Sequence, residues 1–239
     1  MNVSVADQEL LQIVSGPAAL TIADVAAKMK AINSSLPSND GLKWFNLLYL
    51  NVTQQVDGHP PPAGWEDAPW LNRLDVVFAQ LYFNAIAGWL QNSAEVPDSW
   101  KALFESRFTG GIDRIQFALA GMNAHINHDL ALALLQTDTE MNLTPLKDSP
   151  EHDDFESVNG LLEATLPQAL QYLATGIVGE AAQDTGKIGR LLAIWNVRAA
   201  RDLAWDVCDN LRPLSGVARD VAMAAQDQLT GVLGRSLLL

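Results

Sequence analysis

Apolar residues recur along this chain at three- and four-residue spacings, the pattern of helices that bury one face. Convincing stretches with the two-residue alternation of a half-buried strand are absent. Capping residues, prolines and glycines divide the sequence into predicted helices at about 21–34, 42–55, 69–91, 98–108, 112–137, 149–174, 188–211 and 217–238. Pro167 predicts a kink or break in the sixth of these. The pattern predicts an all-α fold, a single-domain bundle of about eight helices spanning residues 1–239.

The fifth predicted helix has polar side chains on two sides of an apolar sequence, so we expect it to lie centrally in the bundle. One polar stripe contains His125 and Asp129, which are four residues apart, with His128 beside them. The small residues Ala118 and Gly121 precede this stripe and would let a neighbouring helix or a ligand approach closely.

The His/Asp stripe has the chemistry of a metal or acid–base site. His125, His128 and Asp129 are donors that suit Zn²⁺ or Fe²⁺, which would activate water or oxygen. A complete site needs a further ligand, for which the candidates are Asp75, His152, Asp153 and His59. Without a metal, a His–Asp pair would act as a general acid–base on a small, mostly apolar molecule.

A structural role is the main alternative for the same residues. Two buried histidines bonded to a carboxylate would brace neighbouring helices in a ligand-binding or scaffold protein without catalysis. The second polar stripe, which contains Asn123 and Asn127, is better explained by hydrogen bonds between helices.

Other polar residues in apolar surroundings are candidates for the walls of a pocket. Asp75 lies inside a strongly apolar helix, where an acid is costly unless it is paired. The predicted substrate-pocket residues are Asn123, Arg114, Tyr82, Trp195 and Arg198. Arg201 stacked on Trp205 would bind an anionic substrate, although a ladder of helix salt bridges is the simpler interpretation of that segment.

The acidic run from Glu151 to Glu156 resembles the Mg²⁺-diphosphate motif of class I terpene cyclases, which are also all-α enzymes. The run occupies the predicted first turn of a helix, where acids complement the helix dipole. A cyclase-like enzyme is therefore a third alternative, and no second metal motif accompanies it.

Two family resemblances follow from the fifth helix and its surroundings. The doublet His128-Asp129 resembles that of the HD superfamily of all-helical metal-dependent phosphohydrolases. The segments 47–53, 70–79, 115–130 and 154–159, the third containing NAHINHDL, resemble a bacterial and fungal family that is a "domain of unknown function". That resemblance implies a fold unit over about 40–210 and leaves the chemistry open.

Composition restricts the partners. The net charge of −13 argues against nucleic acid, which requires clustered Lys and Arg. The first residues lack a secretory signal pattern and no long apolar run predicts a membrane span, so we expect a cytoplasmic protein. Apolar residues form 49% of the chain and charged residues 18%, which favours a pocket for a small-molecule ligand or the contact surface of a homodimer.

Overall fold

The structure, a computed structural model, describes residues 4–175 and 196–239, and every regular element in these ranges is helical. The helices are α1 (Val5–Val14), α2 (Ile22–Ser35), α3 (Leu42–Gly58), α4 (Ala68–Leu90), α5 (Asp98–Ser106), α6 (Arg114–Ala124), a π-helix (His125–Asp129), α7 (Leu130–Met141), α8 (Pro150–Thr175), α9 (Val197–Leu211) and α10 (Gly216–Leu237). The all-α prediction is confirmed. None of the described helices combines the length and the apolar composition that a membrane crossing requires.

Local sequence signals account for several helix ends. Thr21 caps α2, and its side chain and that of Asp24 each accept a backbone N–H of the other residue. Asp67 accepts the backbone N–H of Trp70 at the start of α4, with a proline in the first turn. Such reciprocal bonds satisfy N–H groups that a helix start otherwise leaves without a partner.

Three details differ from the sequence prediction. Helix α1 was not predicted, and α7 continues to Met141 through residues that were expected to form a loop. Helix α8 continues past Pro167 to Thr175. Residues 188–195 of the seventh predicted helix lie outside the described ranges.

The rod formed by α6, the π-helix and α7 packs against several other helices. Its α6 part contacts α3 and α10, and its α7 part contacts α4 and α9. Every residue from Ile115 to Ala124 is buried. A Cβ atom added to Gly121 would lie 2.3 Å from the ring of Phe45, so glycine allows α3 to approach this closely.

A buried ion cluster links the ends of α5 and α3 to α1. We call Arg107, Asp40 and Asp7 the Arg107 cluster. The Arg107 guanidinium donates to both oxygens of Asp40, and its Nη1 lies 3.1 Å from the carboxylate of Asp7 in α1. Asp40 also accepts the backbone N–H of Leu42 at 3.0 Å, at the start of α3. The buried cation is therefore compensated by two carboxylates, one bonded to it and one at ion-pair distance.

Candidate functional site

An apolar cavity lies between α3, α4, α8 and the π-helix, with single contributions from α6 and α7 and two from α9. It offers about 70 Å³ to the centres of water-sized molecules. A water molecule needs roughly 10–15 Å³ by this measure, so the cavity has room for a small organic molecule. Aliphatic and aromatic side chains form most of the wall, and the polar exceptions are Tyr49, Thr53, Asp75, His125 and Arg201.

His125 and Asp129 form a hydrogen-bonded pair in the π-helix. The Nδ1 atom of His125 lies 3.0 Å from Oδ2 of Asp129. Asp129 also accepts the indole N–H of Trp100 at 2.9 Å, and its Oδ1 lies 2.7 Å from Nδ1 of His128. We call His125, Asp129 and His128 the His–Asp–His cluster. Single-turn π-helices often occur at functional sites, and this one contains the whole cluster.

The ring of His125 is held by aromatic packing as well as by Asp129. It stacks on Phe78 with ring centroids 3.5 Å apart and an angle of 4° between the planes. Tyr49 meets it edge-on at 4.5 Å. Although His125 is only 2% exposed, its Nε2 atom has no hydrogen-bond partner and the residue lines the cavity. One ring nitrogen is therefore fixed and the other is left for a ligand.

The surroundings shift the pKa values of the two histidines in opposite directions. Burial lowers the pKa of His125 by more than the hydrogen bond and charge of Asp129 raise it. Burial also lowers the pKa of His128, but the hydrogen bond that its ring donates to Asp129 and the charges of Asp129 and Asp227 outweigh it and raise the pKa overall. Burial raises the pKa of Asp129, yet the hydrogen bonds from both histidines hold it below its ordinary value.

These directions assign the protons. Asp129 is ionised and accepts from both rings, so His125 carries its proton on Nδ1 and has a lone pair on Nε2 at neutral pH. His128 keeps its second proton to a higher pH than an ordinary histidine because its pKa is raised, and its Nε2 lies 3.7 Å from Asp227. Asp227 in turn accepts the backbone N–H groups of Asp98 and Ser99 at the start of α5.

A second polar level lies about one helical turn away from His125. Thr53 is four residues beyond Tyr49 in α3, and Asp75 is three residues before Phe78 in α4. The Tyr49 hydroxyl, the Thr53 hydroxyl and Oδ2 of Asp75 are buried without a hydrogen-bond partner. Burial and the charge of Asp57 raise the pKa of Asp75 to about 7, against the opposing effect of Arg201.

The residues proposed as metal ligands do not converge. His152 packs edge-on against Trp205 at 4.6 Å, while His59 and Asp153 are exposed. In the His–Asp–His cluster the carboxylate and both Nδ1 atoms are bonded to one another, so they do not fit as joint ligands of one ion. Within residues 4–175 and 196–239, no three His, Cys, Asp or Glu side chains converge as a metal site requires. Binding of Zn²⁺ or Fe²⁺ therefore stays a prediction.

The residues predicted to line a substrate pocket lie elsewhere, as far as the structure describes them. Asn123 donates to the backbone oxygen of Thr230 in α10 and accepts from Asn127, which is the helix-to-helix bonding expected of that stripe. Tyr82 is buried beside the cavity and donates to Asn46.

The three remaining predicted pocket residues fall into different surroundings. The Arg114 guanidinium lies over the ring of Trp44, and Arg198 pairs with Glu156 and Glu163 on the exposed side of α8 and α9. Trp195 lies outside the described residues. Of the predicted site residues, His125 and Asp75 line the cavity. Asp129 bonds to His125, and His128 bonds to Asp129.

One residue of the acidic run from Glu151 to Glu156 makes contacts that stabilise the fold. Asp154 is buried and accepts the backbone N–H groups of Glu66 and Asp67 at 2.8 and 2.7 Å, which fixes the chain entering α4. Asp153, the neighbouring acid, is exposed. This arrangement gives the run a role in the fold.

Several residues of the site were not singled out from sequence. Tyr49, Thr53 and Phe78 lie inside predicted helices with no motif around them, and Trp100 lies in a different predicted helix from Asp129, its hydrogen-bond partner. One available signal was the pair Tyr49 and Thr53, whose spacing of four residues puts two hydroxyls on one face of an apolar helix.

Comparison with other proteins gives the family and leaves the chemistry to the structure. No curated protein and no solved structure matches the chain. A family model, described as a family of unknown function, matches residues 22–239, a wider range than the 40–210 expected from sequence. Because this match covers far more than half of the sequence, the chain belongs to the family DUF5995.

Proposed function

We propose that this protein is an acid–base enzyme that acts on a small, mostly apolar molecule held in the cavity, with His125 as the catalytic base. The observation that supports this most directly is the buried Nε2 of His125, which has no partner and lines an apolar cavity while Nδ1 is bonded to Asp129. A buried polar atom without a partner costs free energy, so its retention calls for a function.

The geometry supports a simple proton transfer. Nε2 of His125 would take a proton from the substrate, or from a water molecule that attacks it, and would return the proton to the product. Asp129 stabilises the imidazolium that forms and keeps the ring in the tautomer that has a free Nε2. Stacking on Phe78 keeps the ring from turning away from the cavity.

Burial keeps this base in its neutral, proton-accepting form at pH 7. Burial lowers the pKa of His125 below its ordinary value of 6.5, so the ring is neutral at pH 7. We expect the activity to rise as the pH increases through the pKa of His125 and then to level off, since the neutral ring is the active form.

We assign a structural role to His128, one member of the His–Asp–His cluster. His128 bonds to Asp129, and its other nitrogen faces Asp227, which holds the start of α5. We propose that His128 positions Asp129, and that Asp129 positions His125. The scaffold alternative assigns the same bracing role to His125, and it leaves the free Nε2 without explanation.

The proposal is tested in two measurements on the full chain. In the first, ¹⁵N NMR of the imidazole groups should show His125 with a proton on Nδ1 and none on Nε2 at pH 7. In the second, a panel of small apolar esters, lactones, aldehydes and ketones is assayed for turnover. Changing His125→Gln should lower kcat for any compound that is turned over by about 10²–10⁴-fold.

A matched variant separates the site from a general effect of losing histidine. His59→Gln removes an exposed ring that bonds only to the backbone oxygen of Gln55, so turnover should be unchanged. A proton on Nε2 of His125 at pH 7, or equal kcat in the wild type and His125→Gln, would overturn the proposal.

A further inference from the structure

Arg201 is a buried cation whose hydrogen bonds go to neutral groups. It is 6% exposed, and its Nε and Nη2 donate to Oδ1 of Asn159 and to the backbone oxygen of Phe155 at 2.5 and 2.8 Å. Within the described ranges, no carboxylate lies at ion-pair distance from its guanidinium. Nδ2 of Asn159 is also buried without a partner, so a second donor lies beside the guanidinium.

Arg201 belongs to the cavity wall. It reaches the cavity from α9, and Asp75 lines the same cavity from α4. The two side chains are close enough for each to shift the pKa of the other, but they form no ion pair, and Oδ2 of Asp75 has no partner. An acceptor group of a ligand at this end of the cavity would therefore meet the Arg201 guanidinium, with Asn159 bonded to the guanidinium just outside the cavity wall.

An unpaired guanidinium in such a place is costly. Buried charges are normally paired with an opposite charge, because removing an ion from water costs several kcal/mol. The desolvation is visible in the pKa of Arg201, which burial lowers to about 10. The Arg107 cluster shows that this same fold supplies a buried arginine with carboxylates at hydrogen-bonding distance.

We infer that the molecule bound in the cavity is a short apolar carboxylic acid, whose carboxylate lies against Arg201 and whose carbon body extends toward His125. The inference rests on the proposed function for treating the cavity as a substrate site, and it adds the substrate class. A guanidinium matches a carboxylate with two parallel hydrogen bonds. Phe45, Leu48, Leu74 and Phe78 supply the apolar wall between the two ends.

Asp75 sets the pH range in which an anion is accepted. The protonated carboxyl donates to a carboxylate ligand, whereas ionised Asp75 repels it and competes for Arg201. The other titratable or charged groups around this pair are Tyr49 and Asp57 from α3, His125 and Asp129 from the π-helix, Glu156 from α8, and Arg198 and Asp202 from α9. Above pH 7 His125 is already neutral, so Asp75 is the member of this set whose ionisation we expect to control binding.

The experiment compares acids with neutral molecules of the same shape. Binding of hexanoate and benzoate, and of hexanamide and benzamide, is measured by calorimetry and by the shift in Tm of the full chain at pH 7. The acids should bind at least tenfold more tightly than the amides. Arg201→Gln should remove this preference, whereas Arg73→Gln, which breaks the exposed pair with Glu140, should keep it.

A second variant tests the inference if Arg201→Gln fails to fold. In the wild type, affinity for the acids should fall by roughly tenfold between pH 7 and 8.5 as Asp75 ionises, because the acids themselves stay ionised throughout. Asp75→Asn keeps a neutral side chain, so its affinity for the acids should stay constant over this range. Amides that bind as tightly as acids, or an equal pH dependence in Asp75→Asn, would overturn the inference.

These outcomes are distinguishable from failure of the proposed function. Binding is measured without turnover, so His125→Gln should still bind hexanoate or benzoate. Acid binding together with a proton on Nε2 of His125 at pH 7 would overturn the acid–base proposal and leave the ligand class standing. Tighter binding of the amides, together with loss of turnover in His125→Gln, would overturn the ligand class and leave the acid–base proposal standing.

Discussion

The Arg107 cluster and the cavity beside His125 are both polar regions enclosed by helices, but their atoms are paired to different extents. In the Arg107 cluster the guanidinium faces two carboxylates, and Asp40 also accepts a backbone N–H. In the cavity, Tyr49, Thr53, Asp75 and His125 each leave a buried polar atom without a partner, and Arg201 bonds to neutral acceptors.

The difference indicates what each region is for. In the Arg107 cluster one cation is compensated by two carboxylates, although Oδ1 of Asp7, 3.1 Å from the guanidinium, has no well-aligned hydrogen bond. The unpaired atoms of the cavity face one enclosed space, where a ligand can reach them together. Pairing within the protein indicates a structural role for the Arg107 cluster, and the lack of it in the cavity is what we expect of a binding site.

The largest expected effect is the loss of the Arg107 cluster. Asp40→Ala leaves a buried guanidinium without its main partner, so the free energy of unfolding should fall by about 3–5 kcal/mol. The matched change Glu140→Ala breaks an exposed pair with Arg73 and should cost less than about 1 kcal/mol. Both are measured by denaturant unfolding at pH 7. Similar losses in the two variants would contradict a structural role specific to the Arg107 cluster.

Asp75→Asn should have an effect of intermediate size and should raise the free energy of unfolding. Asp75 has a pKa of about 7 in the folded protein and about 3.8 in the unfolded chain, so the folded state binds the extra proton and loses stability as the pH rises from about 4 to 7. The asparagine variant avoids this loss. Its free energy of unfolding should exceed that of the wild type by about 1–3 kcal/mol at pH 8, and the two values should approach each other toward pH 4.

The check is denaturant unfolding of both proteins in the ligand-free state at pH 4, 6 and 8. The difference between them isolates Asp75, because the histidines titrate in both. A difference that does not change with pH would mean that Asp75 titrates normally in the folded protein.

The smallest effect comes from a matched pair of tyrosines. The Tyr49 hydroxyl makes only a weak contact with the Thr53 hydroxyl, too long for a full hydrogen bond, whereas the Tyr82 hydroxyl donates to Asn46 at 3.3 Å. Tyr82→Phe should therefore cost about 0.5–1.5 kcal/mol, while Tyr49→Phe should be neutral or slightly stabilising in the ligand-free protein. Thermal unfolding of the two variants provides the test. A larger loss for Tyr49→Phe would show that its hydroxyl is paired after all.

Much of the fold could be predicted from local sequence. The helical spacing of apolar residues and caps such as Thr21 place most helices within a few residues of their observed ends. Of the kink or break predicted at Pro167, the break is wrong, since α8 continues through this residue to Thr175. Helix α1 was missed because its buried residues, Leu10 and Val14, are too few to give a strong period.

The candidate site could be predicted only in part. The spacing of four residues between His125 and Asp129 identified the hydrogen-bonded pair, and the apolar sequence around Asp75 marked that acid as unusual. Arg201 was noted as an anion-binding candidate, but through stacking on Trp205. Its guanidinium lies instead over Phe155 at 4.0 Å, a contact with α8 that helix spacing within α9 does not reveal.

The rest depends on contacts between helices. Thr53, Asp75 and Arg201 come from α3, α4 and α9, and nothing in any one of these segments shows which side chains will face a shared space. The π-helix is equally hidden, because one residue added to a turn leaves the local apolar pattern almost unchanged.

The π-helix also allows the rod to hold one more residue than an α-helix of the same course. A turn closed by i→i+5 bonds contains about one residue more than an α-helical turn, so deleting one residue between His125 and Asp129 would restore ordinary winding and leave α7 close to its present direction against α4 and α9. The deletion would act on the cluster instead, because His125 and Asp129 would then be three residues apart in place of four. The extra residue therefore determines the spacing of the His–Asp–His cluster, whereas the packing of the bundle would survive its loss.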